Sequence, residues 1–199
     1  MKTVAFHQMK DGTRAEYEFL TGLEHQFAQG TAERLLATLA SLEHSLSGYR
    51  VSRLEHSLQA ATRAWQDGAD VDWVVAALLH DIGDLHAPLN HAEYAAAILK
   101  PFVREQVSWC VRAHGEFQLI YYGQFIDGLE PDCRERHRAV PYFEDCEMFC
   151  ERWDQASFDP DFHSRPIEFF APMVREVLAR PAYHPEVLRP GKREPLQTS

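Results

Sequence analysis

Lysine is scarce in this chain: Lys2, Lys10, Lys100 and Lys192 are the whole supply among 199 residues, and the formal net charge is −10. Such an acidic surface has little to offer a phosphate backbone, so nucleic acid is not an expected partner. No apolar run reaches the roughly 18 residues that a bilayer-spanning helix needs, and the start, Met1 to Met9, lacks the hydrophobic stretch of a secretory signal. The expectation is a cytoplasmic protein with no membrane contact. The four cysteines, Cys110, Cys133, Cys146 and Cys150, show no Cys-x-x-Cys spacing and read as packed thiols rather than metal or redox pairs. Internal repeats, low-complexity blocks and convincing strand alternation are also missing.

What is present is an apolar fraction of 45% in a length that suits one domain. We expect a single helical unit over residues 1–185 and a proline-bearing tail over 186–199 that frays or wraps the surface. Helical periodicity runs from Arg14 to Ala28, with Tyr17, Phe19, Leu20, Leu23 and Phe27 on its apolar side, and Gly30 stops it. Thr31 is placed to cap a helix over Ala32–Leu46, closed by Gly48. Further helices are expected over Arg53–Gln66, from an Asp70 or Asp72 cap to His80 and Asp81, and over His91–Phe102. Others should span Glu105–His114, Tyr142–Asp154 and Ile167–Ala179. The stretch from Gly115 to Phe125 is aromatic and ambiguous, and Phe158–Pro166 reads as a loop.

The chemistry gathers around the end of the run Trp73-Val-Val-Ala-Ala-Leu-Leu-His-Asp-Ile-Gly83. His80 and Asp81 are flanked in chain order by His56, His91, His114 and Asp154. A lone buried histidine is ordinarily a hydrogen-bonded core residue, but six imidazole and carboxylate donors are enough for two metals. A carboxylate beside a histidine can reach both ions. The local pattern supports convergence. His56 lies between Leu54 and Leu58, and His80 follows the small Ala76 and Ala77. His91 opens a helix, while His114 and Asp154 each close one.

The ordered set H…HD…H…H…D resembles the HD-domain metalloprotein superfamily over roughly Leu46 to Asp154. More narrowly, Arg53-Leu-Glu-His-Ser-Leu-Gln-Ala-Ala, Ala76-Ala-Leu-Leu-His-Asp-Ile-Gly and Arg152-Trp-Asp are similar to the mixed-valent diiron HD-domain oxygenases. That group includes myo-inositol oxygenase and enzymes that cleave hydroxylated aminoalkylphosphonates. The chain also resembles proteins labelled predicted HD phosphohydrolases. The resemblance implies an all-α HD-domain helical bundle with a binuclear centre of two iron ions, Fe(II)/Fe(III), with manganese or zinc as alternatives. It places His56, His80, Asp81 and Asp154 on one ion and His91 and His114 on the other, with Asp81 as the bridge. It implies dioxygen-dependent oxidation of a small hydroxylated organic substrate at the carbon bearing the hydroxyl. The alternative is hydrolysis of a nucleotide or phosphate ester, for which the same donors would serve.

Departures from the family pattern bear on the substrate. The phosphonate-cleaving relatives carry Tyr-x-x-Glu before the first histidine, where this chain has Leu46 and Tyr49. They have a lysine one turn after the fourth histidine and an arginine three residues before the last aspartate, where this chain has Gln118 and Glu151. Losing two cations weakens the case for a dianionic phosphonate held in the same way. Tyr49 and Gln118 therefore stand as candidate catalytic residues beside Asp81, and Tyr49, Arg53, Gln118, Tyr121, Arg152 and Gln155 as candidate substrate contacts. Ser157 is within reach of the same region. Phe117, Tyr121, Tyr122 and Phe125 read either as core or as the wall of a pocket for a small molecule such as a quaternary ammonium. His86 reads as a loop residue or a proton relay.

Overall fold

The computed structural model describes residues 2–195; Met1 and residues 196–199 lie outside the description. The described residues form an all-α bundle without strands. Its helices are α1 (Arg14–Gln29), α2 (Thr31–Ser41), α3 (Arg53–Gln66), α4 (Val71–Leu79), α5 (His91–Leu99), α6 (Glu105–Tyr122), α7 (Phe143–Phe149), α8 (Ile167–Leu178) and α9 (Pro185–Leu188).

Helix α4 is the axis of the fold. Asp70 caps it by accepting hydrogen bonds from the amides of Asp72 and Trp73, and every residue from Asp72 to Leu79 is buried. A short helix with apolar residues on all sides must be surrounded, and α4 packs against α3, α6 and α8. Its one buried acid, Asp72, accepts from the Arg104 amide at 3.1 Å and from Arg180 at 2.6 Å, so its charge is paired inside the bundle. Against the first turn of α4, Trp73, Phe149 and Trp153 form a ring cluster with centroids about 6 Å apart. Burying each such side chain contributes roughly 1.5–3 kcal/mol, which makes this cluster a stiff floor for what lies above it.

Several boundaries differ from the sequence reading. Thr31 does not cap α2; its hydroxyl donates to the Ala28 carbonyl while Gly30 holds the cap position. Helix α2 ends at Ser41 and passes into a 3-10 turn over Leu42–His44, and α5 ends at Leu99. Helix α6 does not stop at His114. It continues through Gly115 to Tyr122, because a glycine inside a helix only weakens it, and Phe117 locks the following turn into the core. The periodicity of α1 does not correspond to a core face, since none of its residues is buried.

The tail is docked as far as it is described. The Gln106 side chain donates to the Glu194 carbonyl at 2.9 Å and accepts the Glu194 amide at 3.1 Å, and Arg193 forks onto Asp145 at about 3.0 Å. Gln106 and Asp145 are almost wholly buried, so these contacts satisfy polar groups that α6 and α7 would otherwise strand. Cys110, Cys146 and Cys150 are buried and unpaired, while Cys133 is half-buried.

Candidate metal centre

All six candidate donors meet where α3, the ends of α4 and α7, the start of α5 and the middle of α6 come together. The carboxylate of Asp81 divides between two groups of histidines. Its Oδ2 lies 3.3 Å from His56 Nε2 and 3.5 Å from His80 Nε2, while its Oδ1 lies 3.4 Å from both His91 Nε2 and His114 Nε2. Asp154 Oδ1 joins the first group, at 3.3 Å from His56 and 3.5 Å from His80. Asp154 is placed by a single π-helical turn over Cys150–Asp154, which carries the chain past the end of α7.

The histidines present their nitrogens in a defined sense. His56 Nδ1 donates to the Ser157 carbonyl at 3.0 Å, His80 Nδ1 to Ala77 at 2.8 Å and His114 Nδ1 to Val111 at 2.6 Å. A proton on each Nδ1 leaves the Nε2 lone pairs facing inward. Yet His56 Nε2 and His80 Nε2 are 3.1 Å apart, and His91 Nε2 and His114 Nε2 are 3.4 Å apart. Acceptors directed at acceptors repel, and Asp154 Oδ2 is buried without a partner. The arrangement calls for positive charge at its centre. Burial lowers the His56 pKa, but the carboxylates of Asp154 and Asp81 outweigh it and push the imidazole up to about 10. His114 is raised by the same opposition of burial and Asp81. Burial raises both carboxylates, yet the field of His80 and His56 holds Asp154 and Asp81 well below their ordinary range. Ligand atoms in three overlapping trios, His56–His80–Asp81, His80–His114–Asp154 and Asp81–His91–His114, lie within 4.8 Å of one another, and each trio could hold a metal ion.

A cleft of about 480 Å³ opens onto one side of this centre, with Asp81, His91, His114 and Asp154 at its base. Tyr49, Tyr121, Tyr122, Phe158 and Ile126 supply most of the wall, and Gln118, Gln155 and Arg53 the polar part. Burial pushes the phenols of Tyr121 and Tyr122 up, Tyr121 to about 12, so both remain neutral donors at neutral pH. Phe158 stacks on His56 at 4.4 Å and on Tyr49 at 5.1 Å, and the Arg53 guanidinium lies 4.8 Å from the Tyr49 ring. Arg53 also approaches Asp84 at 2.9 Å and Asp81 at 3.4 Å.

The candidate substrate contacts Tyr49, Arg53, Gln118, Tyr121 and Gln155 thus all line one space. Arg152 does not: the Asp67 carboxylate at the end of α3 captures it at 2.8 Å, on an exposed face away from the cleft. The aromatic group also splits. Phe117 is core, Tyr121 and Tyr122 are cleft wall, and Phe125 is exposed. His86 is exposed beside Tyr94 and does not line the cleft. Sequence reading missed Phe158, Ile126 and Gly115 as cleft residues. Phe158 sits in a loop whose packing is dictated from a distance. Gly115 opens the stretch that reads as ambiguous in the sequence, although its helical position beside His114 is the place where a missing side chain leaves room.

Residues 53–149 match the HD domain family. This stretch is an HD domain. A relative from Leisingera caerulea, [1-hydroxy-2-(trimethylamino)ethyl]phosphonate dioxygenase (glycine-betaine-forming), is 36% identical over 78 residues, which cover 34% of this chain. The match spans 40% of that relative's length. The HD domain supplies His56, His80, Asp81, His91 and His114, and Asp154 follows five residues after its end.

Proposed function

We propose that the centre holds two metal ions and that the protein is a dioxygen-dependent oxygenase acting on a small hydroxylated organic molecule. The observation that carries the metal reading is the split of Asp81, one oxygen toward His56 and His80 and the other toward His91 and His114. In this reading His56, His80 and Asp154 would hold one ion and His91 and His114 the other, with Asp81 available to both. Imidazole with carboxylate, and no thiolate among the donors, suits iron and also manganese or zinc. When bound, two iron ions would supply the redox chemistry that dioxygen activation needs.

The chain's own contribution is to hold, orient and exclude. Base and wall of the cleft leave room beside His91 and His114, the pair with the fewest protein donors, and the aromatic wall keeps water from the reacting carbon. The cleft also bears on the choice of reaction. A phosphate ester would look for cations, and Arg53, the one arginine or lysine lining the cleft among the described residues, is already committed to Asp84 and Asp81. Tyrosine and phenylalanine faces suit a quaternary ammonium group like the one in the relative's substrate. The same shortage of cations argues against its phosphonate end. A hydroxylated quaternary ammonium compound with a neutral or singly charged far end is the substrate class we favour.

The test is anaerobic preparation with iron, partial oxidation and electron paramagnetic resonance, followed by dioxygen uptake assays with such compounds. A coupled Fe(II)/Fe(III) signal that changes on adding the compound, together with dioxygen consumption, supports the reading. Turnover of a phosphate ester without dioxygen, with manganese or cobalt bound, would replace it with the hydrolase.

A further inference from the structure

We propose that Asp84 is the positioning residue for His91 and, through it, for one of the two metal positions; this rests on the metal reading above. The four histidines are not held alike. His56, His80 and His114 are at most 2% exposed, and each has its Nδ1 tied to a backbone carbonyl. The His91 side chain is 28% exposed and its Nδ1 faces a carboxylate instead, Asp84 Oδ1 at 3.6 Å.

The backbone enforces that approach. A Cβ on Gly83 would lie 2.6 Å from the His91 carbonyl oxygen and 2.7 Å from its Cα, so the chain at Gly83 abuts His91 and delivers the next residue to the ring. On its far side Asp84 Oδ2 stands 2.9 Å from Arg53 Nε, and Arg53 Nη1 reaches Asp81 Oδ2 at 3.4 Å. A continuous polar chain, His91 to Asp84 to Arg53 to Asp81, therefore runs along the edge of the cleft.

A carboxylate behind a ligating imidazole keeps the proton on Nδ1, frees Nε2 for the metal and makes that nitrogen a stronger donor. Arg53 offsets the charge that Asp84 adds beside Asp81. One metal position is thus locked by backbone carbonyls, while the other depends at His91 on side chains next to the cleft. A lost outer carboxylate commonly weakens metal affinity by about 10- to 100-fold, and here the loss should fall on one position only.

The experiment counts Fe(II) bound per chain under anaerobic titration of the whole protein, with electron paramagnetic resonance after partial oxidation. For Asp84→Ala we expect one ion held as in the wild type and the second weakened by about 10- to 100-fold, the coupled signal giving way to that of an isolated Fe(III). Asp84→Asn, whose amide oxygen can still accept from Nδ1–H, should keep the second ion within a few-fold. Should Asp84→Ala fail to fold, Asp84→Ser is read by the same two numbers. Two ions at wild-type affinity in the alanine or serine variant, or equal loss of both, would overturn the assignment while leaving the metal reading intact. A wild-type chain that binds fewer than two ions would overturn both.

Discussion

His56 and His80 meet nitrogen to nitrogen, with their Nε2 atoms 3.1 Å apart and each Nδ1 turned away to a backbone carbonyl. Two inward lone pairs at that distance are stable only with positive charge between or beside them. A proton supplies that charge in the absence of metal, and a cation would supply it in the proposed metal-loaded protein.

The two cases differ in pH dependence. In the metal-free protein the His56 pKa is raised from 6.5 to about 10, so its contribution to stability is complete below 6.5 and is lost as pH rises toward 10. The lowered pKa values of Asp81 and Asp154 act in the opposite sense: their contribution is present above about 3.8 and is lost as pH falls below it. Metal competes with protons for the same nitrogens, so the metal-loaded protein should gain affinity across the range in which the metal-free form weakens. Melting curves from pH 5 to 10, with and without chelator, should diverge as pH rises. Parallel curves would mean that metal and proton do not share these sites.

Among the described residues, Asp81 is the one carboxylate within 3.5 Å of both histidine pairs. Asp81→Ala should reduce bound metal from two ions per chain to less than a tenth of that, whereas a variant at a donor of one position should lose mainly one. Elemental analysis of both proteins after identical loading checks this. A full complement in Asp81→Ala would contradict the bridging role.

Gly115 stands in α6 beside His114 with open space where a Cβ would go. Gly115→Ala should stabilise the protein by about 0.5–1 kcal/mol through helix propensity alone. Gly115→Leu should keep that gain, retain both metals and lose substrate turnover by filling the cleft. Unchanged turnover in the leucine variant would place the substrate elsewhere.

Gln59 is fully buried on α3 and grips the loop that carries Phe158: its amide donates to the Asp159 carbonyl at 2.7 Å, and its oxygen accepts the Asp159 amide at 3.3 Å. Gln59→Ala should cost about 1–3 kcal/mol in urea unfolding, because it leaves two half-buried backbone groups without partners. It should also weaken ligand binding in the cleft as the Phe158 wall loosens. A variant as stable as the wild type would show that the loop is held by other contacts.

Much of this fold was legible because period and capping agree. Helix α3 begins at Arg53 and ends at Gln66 as its period suggests, and of the two caps offered, Asp70 and Asp72, it is Asp70 that caps α4. The convergence of the six candidate donors was legible as well, because six imidazoles and carboxylates set at helix ends and on apolar faces make a combination that no one of them carries alone. The failures share a cause. Gly115, Thr31 and the exposed apolar residues of α1 carry strong local signals that tertiary packing overrides or leaves unused. Arg152 was misplaced because Asp67, its partner, is 85 residues away in sequence and adjacent only once α3 meets the π turn. Asp84 went unweighed because its role depends on how closely Gly83 packs against His91, which no spacing encodes.

Anomalous diffraction at the iron edge from crystals of the anaerobically loaded protein would test the central claim most directly. Two peaks should lie within the ring of His56, His80, Asp81, His91, His114 and Asp154, one on either side of the Asp81 carboxylate. A single peak at full loading, or iron bound away from these six side chains, would contradict it.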